Sequence, residues 1–207
     1  MIDSDPNNEM RWEVSNIRDQ DEAEAGIMPS QTVGPYVHIG LTLDGSEVMV
    51  EPGTPGATQV TVSVTDGDDH PIADAMIEIW QANEEGVFNS PLDPRTGEQA
   101  TAEGFRGLGR GMVDENGAVT FTTLVPAAHD DEEAPHLKLG VFARGMLERL
   151  YTRLYFPEND NSTDPVLNAV PESRRHLLIA EKTDNGYRLD IRVQHENADR
   201  ETPFFGL

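Results

Sequence analysis

The sequence predicts an all-β protein, an antiparallel β-sandwich with long loops and at most one short helix. Apolar and polar residues alternate over several short segments, which is typical of strands with one buried face. Turn-forming Gly, Pro, Asn and Asp residues separate these segments at short intervals, as in antiparallel sandwiches. A helical pattern is confined to residues 164–175, with Pro165 near its start.

The predicted strands follow one another along most of the chain. They cover residues 58–65, 75–80, 105–113, 118–124, 137–143, 150–156, 177–181 and 187–193. We expect hairpin turns at 114–117 and 183–186, where Asp, Asn and Gly come together. Segments 84–103 and 126–135 have no regular period and are predicted to be surface loops.

A single β-sandwich domain is expected over residues 27–207, after a flexible acidic extension over residues 1–26. A chain of 207 residues has the usual size of one domain. The extension is polar and acidic, and it carries too few apolar side chains to bury a core of its own.

The chain is strongly acidic, with 38 Asp and Glu, 15 Lys and Arg, and a formal net charge of −23. This charge repels the phosphates of nucleic acids and the anionic surface of membranes, so neither is an expected partner. The acidic residues are spread along the chain rather than gathered in one tail, and the only lysines are Lys138 and Lys182. Such a composition predicts a protein adapted to concentrated salt, where counterions screen the repulsion.

The sequence contains no Cys, which excludes disulfides, thiolate nucleophiles and Cys-based zinc sites. No apolar run approaches the ~20 residues of a membrane-spanning helix, and the amino terminus lacks the basic and apolar regions of a signal peptide. A soluble cytoplasmic protein is therefore expected.

Without Cys, a site has to draw on His, carboxylates, Tyr, Arg or backbone groups. His136 and Lys138 share one face of a predicted strand, but a cation beside a metal ion is unfavourable, so the pair makes a poor metal site. His129 and His136 flank an acidic run. A metal site formed by both histidines stays open as an alternative, and an ordinary solvated loop is the favoured interpretation. Tyr151 and Tyr155 share a strand face and are interpreted as core residues with satisfied hydroxyls.

Two other stretches are harder to explain by folding alone. Residues 30–36 (SQTVGPY) combine small residues, a rigid Pro and an aromatic ring, and Gly34 allows close approach of a ligand or another chain. Arg144 lies at a predicted strand end beside Gly145, where it can pair with a carboxylate of the protein or of a ligand. The residues alone favour neither partner.

Several motifs of the chain carry a resemblance to a known family. They are residues 29–41 (PSQTVGPYVHIGL), 78–83 (EIWQAN), 134–136 (APH), 139–145 (LGVFARG), 152–156 (TRLYF), 164–168 (DPVLN) and 201–205 (ETPFF). In this order, over residues 28–207, the chain resembles the α-type subunits of the intradiol ring-cleaving dioxygenase family. That family has a β-sandwich fold, in agreement with the strand pattern.

The resemblance implies that this chain binds no metal itself. In the family, α and β subunits share a fold, and the β subunit binds Fe(III) through two Tyr and two His. The matching positions here are Phe88, the region of His129, His136 and Lys138, so at least two ligands are missing. Fe(III) would then be bound by a partner β subunit in an α/β hetero-oligomer.

The resemblance also implies a role in binding an aromatic acid substrate, which O2 would cleave between its two oxygenated ring carbons. Thr32, Gly34 and Pro35 would line the substrate pocket of the partner's iron site. Tyr36 would support that pocket, and Arg144 would attract the anionic substrate. No catalytic residue of this chain follows from the match.

Two alternatives stay open. The chain could be a catalytically silent binding or scaffold module with the same fold. It could also be a self-sufficient enzyme with another metal set, such as His129, His136 and loop carboxylates.

Overall fold

Two four-stranded sheets packed face to face form the core of the part of the chain that the structure describes. This part comprises residues 32, 34–41, 43–90, 92–93 and 104–206 of a computed structural model. It belongs to one compact unit that begins at Thr32. The predicted extension over residues 1–26 and most of the predicted loop over residues 84–103 lie outside the described residues.

Short strands dominate the described chain. They are β1 (Ala57–Thr65), β2 (Met76–Trp80), β3 (Leu108–Met112), β4 (Ala118–Leu124), β5 (His136–Phe142), β6 (Leu150–Tyr155), β7 (Glu181–Thr183) and β8 (Gly186–Arg192). Sheet A has the order β4-β1-β8-β7, and sheet B has the order β3-β2-β5-β6. The predicted all-β sandwich is confirmed. Among the described strands the pairs are antiparallel except β1 with β8, which is parallel.

Apolar residues of alternating positions fill the space between the sheets. Those without exposed surface include Val60, Val62, Val64, Ile77, Ile79, Phe121, Leu137, Leu139 and Val141. Burial of each such side chain stabilises the fold by about 1.5–3 kcal/mol relative to exposure. Because successive side chains of a strand point to opposite faces, His136, Lys138 and Gly140 of β5 lie on the outer face of sheet B.

The turn at 114–117 forms, but it joins the two sheets and is not the predicted hairpin. The Gly117 amide donates to the Asp114 carbonyl at 2.9 Å, while β3 pairs in sheet B and β4 in sheet A. Glycines make this crossing possible: a Cβ at Gly109 would lie 2.6 Å from the Met49 sulfur, and one at Gly111 would lie 2.6 Å from Val119. Side chains of the opposite layer therefore occupy the inner side of β3.

The predicted turn at 183–186 is a hairpin, with Thr183 opposite Gly186 in the pairing of β7 with β8. The strand predicted over 177–181 is wrong, because residues His176–Leu178 form a 3-10 helix that buries Leu178. β7 begins only at Glu181.

The predicted helix over 164–175 is divided into α2 (Pro165–Ala169) and α3 (Glu172–Arg175). Pro171 separates them, because a residue before proline is held out of the helical region, and Val170 has an extended ψ of 136°. The structure also contains α1 (Tyr36–Gly40), which the sequence pattern did not indicate. No helix of the described residues is long and apolar enough to cross a membrane.

Candidate functional site

The outer face of sheet B carries polar and aromatic side chains that are able to bind a ligand or take part in a reaction. Lys138 of β5 lies directly opposite Trp80 of β2 in the strand register. Loops cover one end of this face, so that the His136 side chain is only 5% exposed although it points away from the core between the sheets.

A tight turn after β2 builds the first of these covering loops. The side-chain oxygen of Asn83 accepts hydrogen bonds from the amides of Glu85 and Val87, both at 2.9 Å. Gly86 has a φ of +74°, and a Cβ there would lie 2.0 Å from the Ala128 carbonyl oxygen. Only glycine fits this close contact between the two loops.

This contact places His129 over the ring of Phe88. The His129 Nδ1 donates to the Gly86 carbonyl at 3.1 Å, and its ring centroid lies 4.6 Å from that of Phe88. Trp80 stacks on Phe88 at 5.7 Å with an interplanar angle of 11°. The Lys138 ammonium lies 5.0 Å from the centre of the Phe88 ring, within the range of a cation–π contact. We call these four side chains the Phe88 cluster.

His136 lies two positions before Lys138 on the same strand face. Its Nδ1 donates to the Ala134 carbonyl at 2.8 Å, which leaves Nε2 as the unprotonated nitrogen. That atom is buried and has no hydrogen-bond partner among the described residues. Burial, together with the nearby Arg153 guanidinium, lowers the pKa of His136 to about 4.

A buried network adjoins His136. Arg153 donates to Glu133 at 3.1 Å, and the Tyr155 hydroxyl donates to Asp164 at 3.0 Å. Asp164 is completely buried and also accepts the amides of Ala134 and Leu167. Burial raises the pKa of Tyr155, so its hydroxyl stays protonated. The interpretation of Tyr155 as a core residue with a satisfied hydroxyl is confirmed.

Residues 30, 31 and 33 of the motif SQTVGPY lie outside the described residues, and the described ones lie at the surface. Pro35 immediately precedes α1, and Gly34 has a φ of +58°. Val37 is buried and anchors this short helix, whereas Tyr36 is 75% exposed. Thr32 and Pro35 are exposed as well.

Arg144 lies in the turn between β5 and β6. Gly145 follows it with a φ of +87°, and the Met146 amide closes the turn on the Ala143 carbonyl at 3.2 Å. Arg144 is exposed and makes no hydrogen bond or ion pair within the described part of the chain. The sequence left open whether Arg144 pairs with a carboxylate of the protein or of a ligand. Among the described residues, no carboxylate of the protein pairs with it. No polar contact between described residues joins Arg144 to the motif before α1.

The described part of the chain is thus a β-sandwich with a cluster of aromatic, His and Lys side chains on the outer face of sheet B. A family model described as dioxygenase matches residues 33–194. The chain therefore belongs to the intradiol dioxygenase family.

The chain is similar to curated members of this family. It is 36% identical to the protocatechuate 3,4-dioxygenase alpha chain of Pseudomonas putida, over 86% of this chain and 94% of that protein. It is 28% identical to the protocatechuate 3,4-dioxygenase beta chain of Burkholderia cepacia, over 84% and 75%. Among solved structures, an intradiol ring-cleavage dioxygenase from Tetranychus urticae superimposes with a TM-score of 0.54 at 20% identity, over 73% of this chain and 88% of that one.

The intradiol family is iron-dependent, but the residues of the Phe88 cluster do not fit a ferric ion. Fe(III) prefers anionic oxygen and imidazole ligands. Phe88 offers no ligand atom, Lys138 brings a positive charge, and the His129 Nδ1 is bound to a carbonyl. Within the described residues, no group of three or more His, Asp or Glu could hold a metal ion.

Sequence reasoning identified His136, Lys138 and Phe88 but did not bring them together with Trp80. The signal was present, because Trp80 is part of the EIWQAN motif and lies on the same strand face as Glu78. The sequence indicates Asp164 only as the start of a helix, since nothing local shows that Tyr155 and Ala134 also bind it.

Proposed function

We propose that this chain is the α subunit of a protocatechuate 3,4-dioxygenase. It completes the substrate pocket of a β subunit that holds the Fe(III), for the O2-dependent intradiol cleavage of protocatechuate to 3-carboxy-cis,cis-muconate. The cytoplasmic location and the division into residues 1–26 and 27–207 stay predictions within this proposal.

One observation carries the proposal: positions that the resemblance equates with iron ligands meet in one place, and two of them, Phe88 and Lys138, offer no metal ligand. The Phe88 ring lies 4.6 Å from His129 and 5.0 Å from the Lys138 ammonium. A phenyl ring and a cation at these positions exclude hard-cation binding there, so the metal would have to come from another chain.

The exposed motif supports a role toward a partner. Thr32, Pro35 and Tyr36 have accessible side chains, and Gly34 adds a backbone position without a side chain. Arg144 has no carboxylate partner among the described residues. In the proposed complex, these residues shape the partner's pocket and exclude water from it, and Arg144 supplies positive charge for the substrate carboxylate.

The test is to express the chain alone and together with its β subunit, and to measure bound iron and O2 uptake with protocatechuate. We expect no stoichiometric iron and no turnover from the isolated chain, and both from the complex. Stoichiometric iron and turnover from the isolated chain would overturn the proposal.

A matched preparation of the β subunit alone completes the design. Turnover by that subunit with the same kinetic constants as the complex would instead favour the catalytically silent module. We expect that the β subunit alone loses most of its kcat/KM for protocatechuate, because half of the proposed pocket is missing.

A further inference from the structure

A cavity of about 230 Å³ opens on the outer face of sheet B, beside the Phe88 cluster. Its lining includes Trp80, Leu108, Lys138, Gly140, Arg149 and Tyr151. Gly140 leaves room above the sheet, because it stands between Glu78 and Tyr151 in the strand register and has no side chain. A Cβ at this position would lie 3.2 Å from the Phe142 ring.

The cavity carries an excess of positive charge in a chain whose net charge is −23. Lys138 is half-buried and has no carboxylate within ion-pair distance among the described residues. The lining carboxylate, Glu78, is engaged by Arg110 through bonds of 2.9 and 2.6 Å, and Arg149 lies 4.0 Å from its other oxygen. A partly desolvated ammonium whose contact is a ring rather than a carboxylate is incompletely compensated, so an anion bound here would be stabilised.

The walls are suited to a flat ring. Trp80 is held in place by its parallel stacking on Phe88, and Tyr151 lies opposite Gly140 on the same face of the sheet. A cavity of about 150 Å³ can hold benzene, and drug-sized ligands need about 300–1,000 Å³. A volume of about 230 Å³ therefore suits one aromatic ring with a small substituent.

We propose that this cavity binds a small aromatic carboxylate through residues of this chain alone. The carboxylate lies between Lys138 and Arg149, and the ring packs over Gly140 against Trp80. This site goes beyond the function proposed above, because it assigns a ligand to the chain that holds no iron.

The test uses Trp80 fluorescence in the full chain. Trp12 is replaced by Phe so that Trp80 is the only Trp, and benzoate is titrated with benzyl alcohol as the uncharged control. We expect saturable quenching by benzoate and at least about tenfold weaker binding of benzyl alcohol, since a charge-assisted contact contributes that much.

Two lysine variants form the matched pair. Lys138→Met should weaken benzoate binding by about tenfold or more, whereas Lys182→Met removes the same charge from an exposed pair with Glu158 and should change it by less than about twofold. Gly140→Val should abolish the quenching although this variant keeps Lys138. The melting temperature of each variant verifies that it is folded.

Three results would overturn the proposal: no saturable quenching, equal affinity for benzoate and benzyl alcohol, or equal losses in the two lysine variants. The readout needs no iron, oxygen or partner subunit. A failure here would therefore leave the proposed α-subunit function unaffected, and a failure of that function would leave this result unaffected.

Discussion

Phe88 and Lys138 limit what the outer face of sheet B can bind, because a phenyl ring offers no ligand atom and an ammonium repels a metal ion. The Lys138 ammonium lies 5.0 Å from the centre of the Phe88 ring, and His129 packs on the same ring. These identities can be read from the sequence, so the poor fit of these two positions to a metal ion could be predicted from single residues. That these side chains meet in one place could not be predicted, because it depends on a contact between two loops that are far apart in the sequence.

Arg144 is the residue for which the proposed function makes the sharpest kinetic prediction. In the αβ complex, Arg144→Ala should lower kcat/KM for protocatechuate by about tenfold or more, because a charge-assisted hydrogen bond contributes about 1.5–3 kcal/mol. The iron content should stay the same. Steady-state O2 uptake and metal analysis measure the two quantities.

Arg188→Ala is the matched control, because Arg188 is also partly exposed but pairs with Asp190 on sheet A. Its kinetic constants should equal those of the wild type. If the kinetic constants of the Arg144 variant also equalled those of the wild type, this residue would have no part in substrate binding.

His136 predicts a pH dependence of stability. Its pKa is lowered to about 4 in the folded chain from 6.5, so the unfolded chain binds the extra proton first and stability falls as the pH drops from 6.5 to 4. Between pH 7 and pH 4 the wild type should lose about 3 kcal/mol more free energy of unfolding than His136→Asn. Asn keeps a donor for the Ala134 carbonyl and does not titrate. Urea unfolding at each pH measures this difference, and parallel curves for the two proteins would contradict it.

At the level of elements, the strands were largely predictable and their partners were not. Alternation is a local property, so β1, β4 and β8 fall within a residue of their predicted bounds. The same turn signal serves a hairpin at 183–186 and a crossing between sheets at 114–117, since both need the chain to reverse. The parallel pairing of β1 with β8 joins distant segments, and no local pattern reports it.

The loop around Gly86 allows a prediction about how two loops stabilise the fold. Gly86→Ala should lower the free energy of unfolding by more than about 2 kcal/mol, because its Cβ would lie 2.0 Å from a carbonyl oxygen in addition to the strain of a positive φ. Gly53→Ala should lower it by about 1–2 kcal/mol only, since Gly53 has a φ of +93° and open space around it.

Urea unfolding of the two variants isolates the contact between loops from the backbone strain that they share. Trp80 fluorescence should also change in the Gly86 variant, because the loop that holds Phe88 against Trp80 has to move. Equal destabilisation of both variants, with unchanged fluorescence, would show that this contact does not position the Phe88 cluster.

For the whole molecule, the acidic charge is distributed over separate exposed loops, as the sequence predicted. Asp68 and Asp69, Glu84 and Glu85, and Asp130 to Glu132 are all exposed and belong to different connections. Attractive pairs on the surface of the described part include Lys182 with Glu158 and Arg192 with Asp69. Each such pair contributes only about 0–1 kcal/mol, so repulsion dominates the effect of salt.

Rising salt should therefore stabilise this protein. The Debye screening length shortens from about 10 Å at 0.1 M salt to about 3 Å at 1 M salt, which removes most of the repulsion between separate loops. We expect the melting temperature at pH 7 to rise by about 5 °C or more between 0.1 and ~2 M KCl, which corresponds to about 2 kcal/mol for a chain of this size. A melt near pH 4.4, the isoelectric point, is the control, because the net charge vanishes there and only the general effect of KCl on burial remains. A rise of the same size at both pH values would show that the acidic surface is not what salt acts on, and a flat or falling melting temperature at pH 7 would contradict adaptation to salt altogether.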